Sequence, residues 1–219
     1  QGGQEGGNSA ADILGGKINP SGKLPMTFPV KLQDHAANAN FPLDGEPINL
    51  MGFLKPNNAK TAEEKVKNKD YTNYEEGIYV GYRHFDRSSL EVSYPFGYGL
   101  SYTTFEYEPG SVVLQQDTIQ LTLTVTNTGA SPGKEVVQVY VAMPDSEVDR
   151  PIRELKAFAK TPLLQPGATT ALHLSVPLAD LRYWSEENDQ WELETGMYEL
   201  QVGASSLDLL FSERIIVRQ

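Results

Sequence analysis

From about Ser111 onward the chain consists of short runs in which apolar and polar residues alternate. Ile119, Leu121, Leu123 and Val125 are interleaved with Gln120, Thr122 and Thr124. Val137, Val139 and Val141 repeat the pattern, as do Leu172, Leu174 and Val176, then Tyr198, Leu200 and Val202, and Ile215 to Val217 close it. A period of two places every second side chain on one face, which defines a half-buried strand. Asn127-Thr128-Gly129 and Pro166-Gly167 supply turns between the runs. Roughly six or seven such strands within ~110 residues predict an antiparallel β-sandwich of the immunoglobulin or fibronectin type III kind.

The residues before the sandwich are of a different character. Asn8 to Leu14 reads as a short helix, capped by Asn8 or Ser9 and stopped by Gly15-Gly16. A glycine-rich approach to a helix N-terminus is how an open α/β sheet presents the loop after a strand, and that strand would precede Gln1. So short a helix is unstable alone, so it is expected to pack on something outside the chain or much further along it. Met26-Thr-Phe-Pro29 reads as a short edge strand between prolines. Residues 30–70 carry no clear period, apart from a possible helical turn at Thr61-Ala-Glu-Glu-Lys-Val-Lys67. Glu75 to Phe85 reads as a strand with aromatic content.

Between these parts lies Tyr94-Pro-Phe-Gly-Tyr-Gly-Leu-Ser-Tyr-Thr-Thr-Phe105. It holds no acid, base, thiol or metal ligand, and it reads as a joint that clamps one domain to the next.

The composition excludes several function classes. The net charge of −11 is repelled by nucleic-acid phosphates and by anionic membrane surfaces. No run approaches the ~20 apolar residues of a membrane helix. Without cysteine there is no disulfide, thiolate metal site or cysteine nucleophile. The three histidines, His35, His84 and His173, stand at no metal-ligand spacing. His173 falls at an outward strand position, and His84 is expected to pack or hydrogen-bond at the joint. No Gly-x-Ser-x-Gly elbow and no phosphate loop occur.

The remaining candidates are carboxylates and tryptophans. Glu5 precedes a helix N-terminus in a glycine-rich loop, where it either lines a ligand crevice or complements the helix dipole. Asp145, Glu147 and Asp149 cluster in one loop, but their spacing is not that of an EF-hand, which favours a solvated acidic loop. Trp184 and Trp191 flank Ser185-Glu-Glu-Asn-Asp189. They either stack on sugar rings, as in a carbohydrate-binding module, or form a hairpin pair buried against the core or a neighbouring domain. Leu181, Tyr183 and Leu193 nearby favour packing.

Two long motifs carry a family resemblance. Glu5 to Pro29, with Glu-Gly-Gly-Asn-Ser-Ala-Ala-Asp-Ile-Leu at its start and Ser-Gly-Lys-Leu-Pro-Met-Thr-Phe-Pro at its end, resembles the end of the second domain of glycoside hydrolase family 3. Glu76 to Asp86 and Tyr94 to Phe105 resemble the connection into that family's fibronectin type III-like domain. Arg150-Pro-Ile-Arg-Glu-Leu-Lys-Ala-Phe158, Pro166-Gly167 and Gly196 to Ser206 fit the sandwich itself.

The resemblance implies a mixed fold. Residues 1–30 are the end of an α/β sandwich domain, 31–105 a long loop and linker, and 106–219 the fibronectin type III-like sandwich. It implies the C-terminal part of a retaining β-glycosidase acting on terminal β-linked glucosyl or xylosyl residues, with one carboxylate as nucleophile and one as acid then base. Both carboxylates are expected outside these residues, in a (β/α)8 barrel and the preceding α/β portion. No catalytic residue, metal ligand or cofactor is therefore assigned here, and Gln4 and Glu5 are expected near the substrate at most. The expected partners are that N-terminal portion, a β-glucoside or oligosaccharide, and a second copy in a homodimer, with no nucleic acid and no membrane. A periplasmic or secreted location is expected.

Overall fold

A computed structural model describes residues 3–39 and 74–218. Helix α1 spans Gly6–Leu14. The expected caps Asn8 and Ser9 lie inside it, because the helical bonding already starts at Glu5, whose carbonyl accepts from Ser9 N–H at 2.9 Å. The Glu5 side chain caps no backbone group and accepts instead from Asn8 Nδ2 at 2.7 Å. Gly15 closes the helix as expected, donating to Ala11 O at 2.8 Å. No residue of α1 is buried.

Strand β1 is only Phe28–Pro29 and pairs antiparallel with β2, Val92–Tyr94. The strand expected over Glu75 to Phe85 does not form. Gly77 and Gly81 adopt φ of +55° and +61°, which breaks an extended run, and helix α2 follows at Tyr82–Ser88. Tyr82 and Phe85 are then three residues apart on one helical face, and Phe85 is buried. The helical turn expected at 61–67 lies outside the described residues.

The alternating runs form the sandwich as expected. One sheet has the order β3–β4–β7, from Phe105–Gln115, Thr118–Asn127 and Thr169–Pro177. The facing sheet has the order β11–β10–β5–β6. Its strands are Val136–Ala142 (β5), Glu154–Lys160 (β6), Gly196–Gly203 (β10) and Leu209–Val217 (β11). A small hairpin pairs Tyr183–Ser185 (β8) with Gln190–Glu192 (β9). The core is the inner faces of both sheets, with Ile119, Leu123, Val125, Val137, Val139, Leu200 and Val202 almost fully buried.

Strand β5 departs from simple alternation. Its outward residues Gln138 and Tyr140 are as buried as its core residues. The chain before the sandwich lies across that second face, and this contact builds the joint.

Candidate functional site

The joint is assembled around Gln138. Its Nε2 donates to Gly97 O at 3.0 Å and Ala204 O at 2.6 Å, and its Oε1 accepts from Tyr140 Oη at 2.6 Å. Gly97 has φ +78°, and a Cβ there would stand 2.0 Å from Gln138 Oε1, so both backbone angle and space require glycine. Gly99 is equally confined, since a Cβ would meet Gly22 O at 2.4 Å.

Aromatic rings extend the contact. Tyr82 stacks on Phe96 with centroids 4.8 Å apart and meets the edge of Tyr140 at 6.0 Å. Its hydroxyl accepts from Leu155 N–H of β6 at 2.8 Å. Burial raises the Tyr82 and Tyr140 hydroxyls above the usual tyrosine range, so both remain neutral hydrogen-bonding groups.

Ion pairs cross the same seam: Arg153–Asp86 at 3.1 Å, Arg83–Glu154 at 2.7 Å and Lys23–Glu135 at 2.8 Å. Burial raises the Asp86 carboxyl, opposed by the Arg153 guanidinium. Asn19 fastens the earlier segment, donating to Pro132 O at 2.9 Å and accepting from Tyr102 N–H at 2.8 Å. Tyr102 Oη reaches back to Ile13 O at 2.8 Å, at the end of α1. The segments around 13–24 and 82–102 are thus tied to the sandwich by many short polar contacts.

The other candidates fall as follows. Gln4 and Glu5 are exposed, in the turn that leads into α1. His173 is exposed on β7, opposite Thr122. His84 packs and hydrogen-bonds, but with the segment before the joint rather than the joint itself: its Nε2 lies 2.9 Å from Asp34 O and its ring 5.2 Å from that of Phe85. No group of three or more metal-ligating side chains converges among the described residues.

Asp145, Glu147 and Asp149 are all exposed, as a solvated acidic loop requires, while the loop is also tied to its neighbours. Glu194 accepts from Ser146 Oγ at 2.7 Å and Glu147 N–H at 2.8 Å, and Asp149 accepts from Tyr79 Oη. Arg87 lies 3.8 Å over the Tyr79 ring.

Trp184 and Trp191 form the expected cross-strand pair, with ring centroids 5.6 Å apart at 75°. They are not buried against the core, however: Trp184 is 47% and Trp191 61% exposed. Both indoles stand on one face of the hairpin, and the buried Ser185 stands on the other.

Sequence reasoning did not find Gln138, Tyr82, Asp86 or Arg153. The available signal was Gln138 and Tyr140 at outward strand positions opposite an aromatic, glycine-rich segment that needed a surface to cover.

The fold is therefore a fibronectin type III-like sandwich clamped to a short α/β-type segment through this joint. The model of the glycosyl hydrolase family 3 C-terminal domain matches residues 1–82, and that of the fibronectin type III-like domain matches residues 135–206. Beta-glucosidase B of Emericella nidulans is 37% identical over 211 residues, covering 94% of this chain and 23% of its own length. The crystal structure of a beta-glucosidase from Kluyveromyces marxianus in complex with glucose superposes with a TM-score of 0.85 at 37% identity, over 100% of this chain and 24% of that one. Beta-glucosidase 3B of Thermotoga neapolitana in complex with glucose gives 0.82 at 41% identity, over 99% of this chain and 27% of that one. The chain carries the C-terminal domain of glycosyl hydrolase family 3 followed by a fibronectin type III-like domain, and it spans about a quarter of the length of the relatives it matches.

Proposed function

We propose that this chain is the supporting part of a retaining β-glucosidase that releases terminal β-linked glucosyl, or xylosyl, residues. The carrying observation is the unbroken likeness to beta-glucosidases across 94% of the chain, from α1 through the joint to the sandwich. The nucleophile and the acid/base come from a longer polypeptide, and these residues hold the sandwich in place beside that machinery. Gln4 and Glu5 belong to a loop near the substrate and shape the site without taking part in bond cleavage.

The assay uses nitrophenyl β-glucoside and nitrophenyl β-xyloside. The complete polypeptide is expected to turn over at least one of them, and the 219-residue chain neither. Turnover by the chain alone, above the buffer rate, contradicts the proposal. Glu5→Gln in the complete polypeptide is expected to raise KM and leave kcat near its original value; a collapse of kcat would assign Glu5 a chemical role.

A further inference from the structure

The β8–β9 hairpin is built to display its tryptophans. Trp184 and Trp191 pair across the strands on one face, while Tyr183, Ser185, Gln190 and Glu192 occupy the other. That second face is locked by polar ties. Glu192 accepts from Tyr183 Oη at 3.0 Å, Asn188 Nδ2 at 2.8 Å and Gln190 Nε2 at 2.9 Å. These bonds hold the Glu192 carboxyl below the usual range, Gln190 first and then Asn188 and Tyr183, so the lock stays ionised at neutral pH. A shift of one residue in register would turn the indoles inward, and the sequence does not make it. The chain has two tryptophans, and both stand in this exposed pair.

Beside Trp191 runs an open groove of about 510 Å³, lined also by Ala179, Asp180, Arg182 and the ion-paired Glu154 and Lys156, 3.2 Å apart. Two acids and two bases leave the groove without net charge. A phosphate, a polybasic segment or an acidic peptide would each meet as much repulsion as attraction there. An indole face beside balanced donors and acceptors instead fits a neutral ligand with an apolar ring face and many hydroxyls, which is a pyranose. The volume is within the range of small-molecule sites and holds more than one sugar ring.

We propose that the Trp184–Trp191 pair and this groove form a noncatalytic binding site for a β-linked glucan chain. The ring character of the ligand follows from the site itself; the β-glucan choice rests on the glucosidase reading above. The indoles supply stacking, and Asp180, Arg182 and Lys156 hydrogen-bond the hydroxyls at the ring edge.

The test measures adsorption of the complete polypeptide to phosphoric-acid-swollen cellulose, alongside its hydrolysis of nitrophenyl β-glucoside. Trp184→Ala/Trp191→Ala is expected to lose more than tenfold in adsorption affinity, with kcat/KM on the soluble glucoside unchanged within twofold. Equal adsorption by the variant, or no adsorption by the parent, overturns the proposal. An adsorbing parent that hydrolyses no glucoside would instead count against the glucosidase reading alone. A second measurement needs no substitution: indole fluorescence of the 219-residue chain reports only this pair. Cellohexaose is expected to shift it saturably, and an unchanged spectrum at millimolar cellohexaose overturns the site.

Discussion

Gln138 is one amide that satisfies three partners at once: Gly97 O, Ala204 O and Tyr140 Oη. Replacing it with Leu leaves these buried groups unpaired, at a cost of about 2–4 kcal/mol. Urea unfolding should show a lowered midpoint with an unchanged m-value, whereas a variant as stable as the parent would remove Gln138 from its central place. Asp86 makes a separate prediction. Burial raises its carboxyl above the ordinary value of 3.8 despite Arg153, so the folded chain binds this proton more tightly than the unfolded chain. Stability from Asp86 is therefore fully present below 3.8 and lost as pH rises through the raised folded value. Subtracting the pH–stability curve of Asp86→Asn from that of the parent should give a difference that falls with rising pH across the carboxylate range. A difference that rises instead would mean that Arg153 outweighs burial. Neither residue's role was legible in the sequence. Gln138 occupies an outward position in an alternating run, and the group that covers it is 41 residues away.

At the scale of elements, the strands that bury one face were legible, because a period of two encodes one-sided burial directly. Strand β4 follows it without exception. Strand β5 does not, since its second face is covered by Phe96, Gly97 and Tyr82 from an earlier part of the chain. Helix α2 is hidden for a related reason: Tyr79, Gly81 and Tyr82 look like an aromatic strand, and it is the positive φ of Gly77 and Gly81 that stops the extension. Helix α1 was legible in place but not in support. It buries none of its residues, and Leu14 is 83% exposed. Amides of residues 6–14 should therefore exchange with solvent almost at once in the isolated chain, and slowly in a longer polypeptide that covers the helix. Slow exchange in the isolated chain would show that α1 needs no such cover.

The whole molecule divides by the kind of surface it exposes. The sandwich keeps its large apolar residues mostly inside, while the segment before it leaves Leu14, Ile18, Met26, Val30, Leu32 and Val80 more than half exposed. Large apolar side chains left out along one short segment are the kind of surface that a packing partner covers. The family was legible because its motifs lie in the joint and the turns, where glycine and proline identities are dictated by geometry. The chemistry was not, because those positions record how parts of the chain fit against one another.

On the function proposed above, the joint fixes the sandwich in place and takes no part in bond cleavage. Gly97→Ala in the complete polypeptide tests it most directly, since the substitution strains a left-handed backbone and drives a methyl into Gln138. The expected result is a Tm lowered by about 2–4 °C, with kcat/KM on nitrophenyl β-glucoside unchanged within twofold well below that temperature. A kcat/KM reduced by orders of magnitude at an unchanged Tm would contradict it.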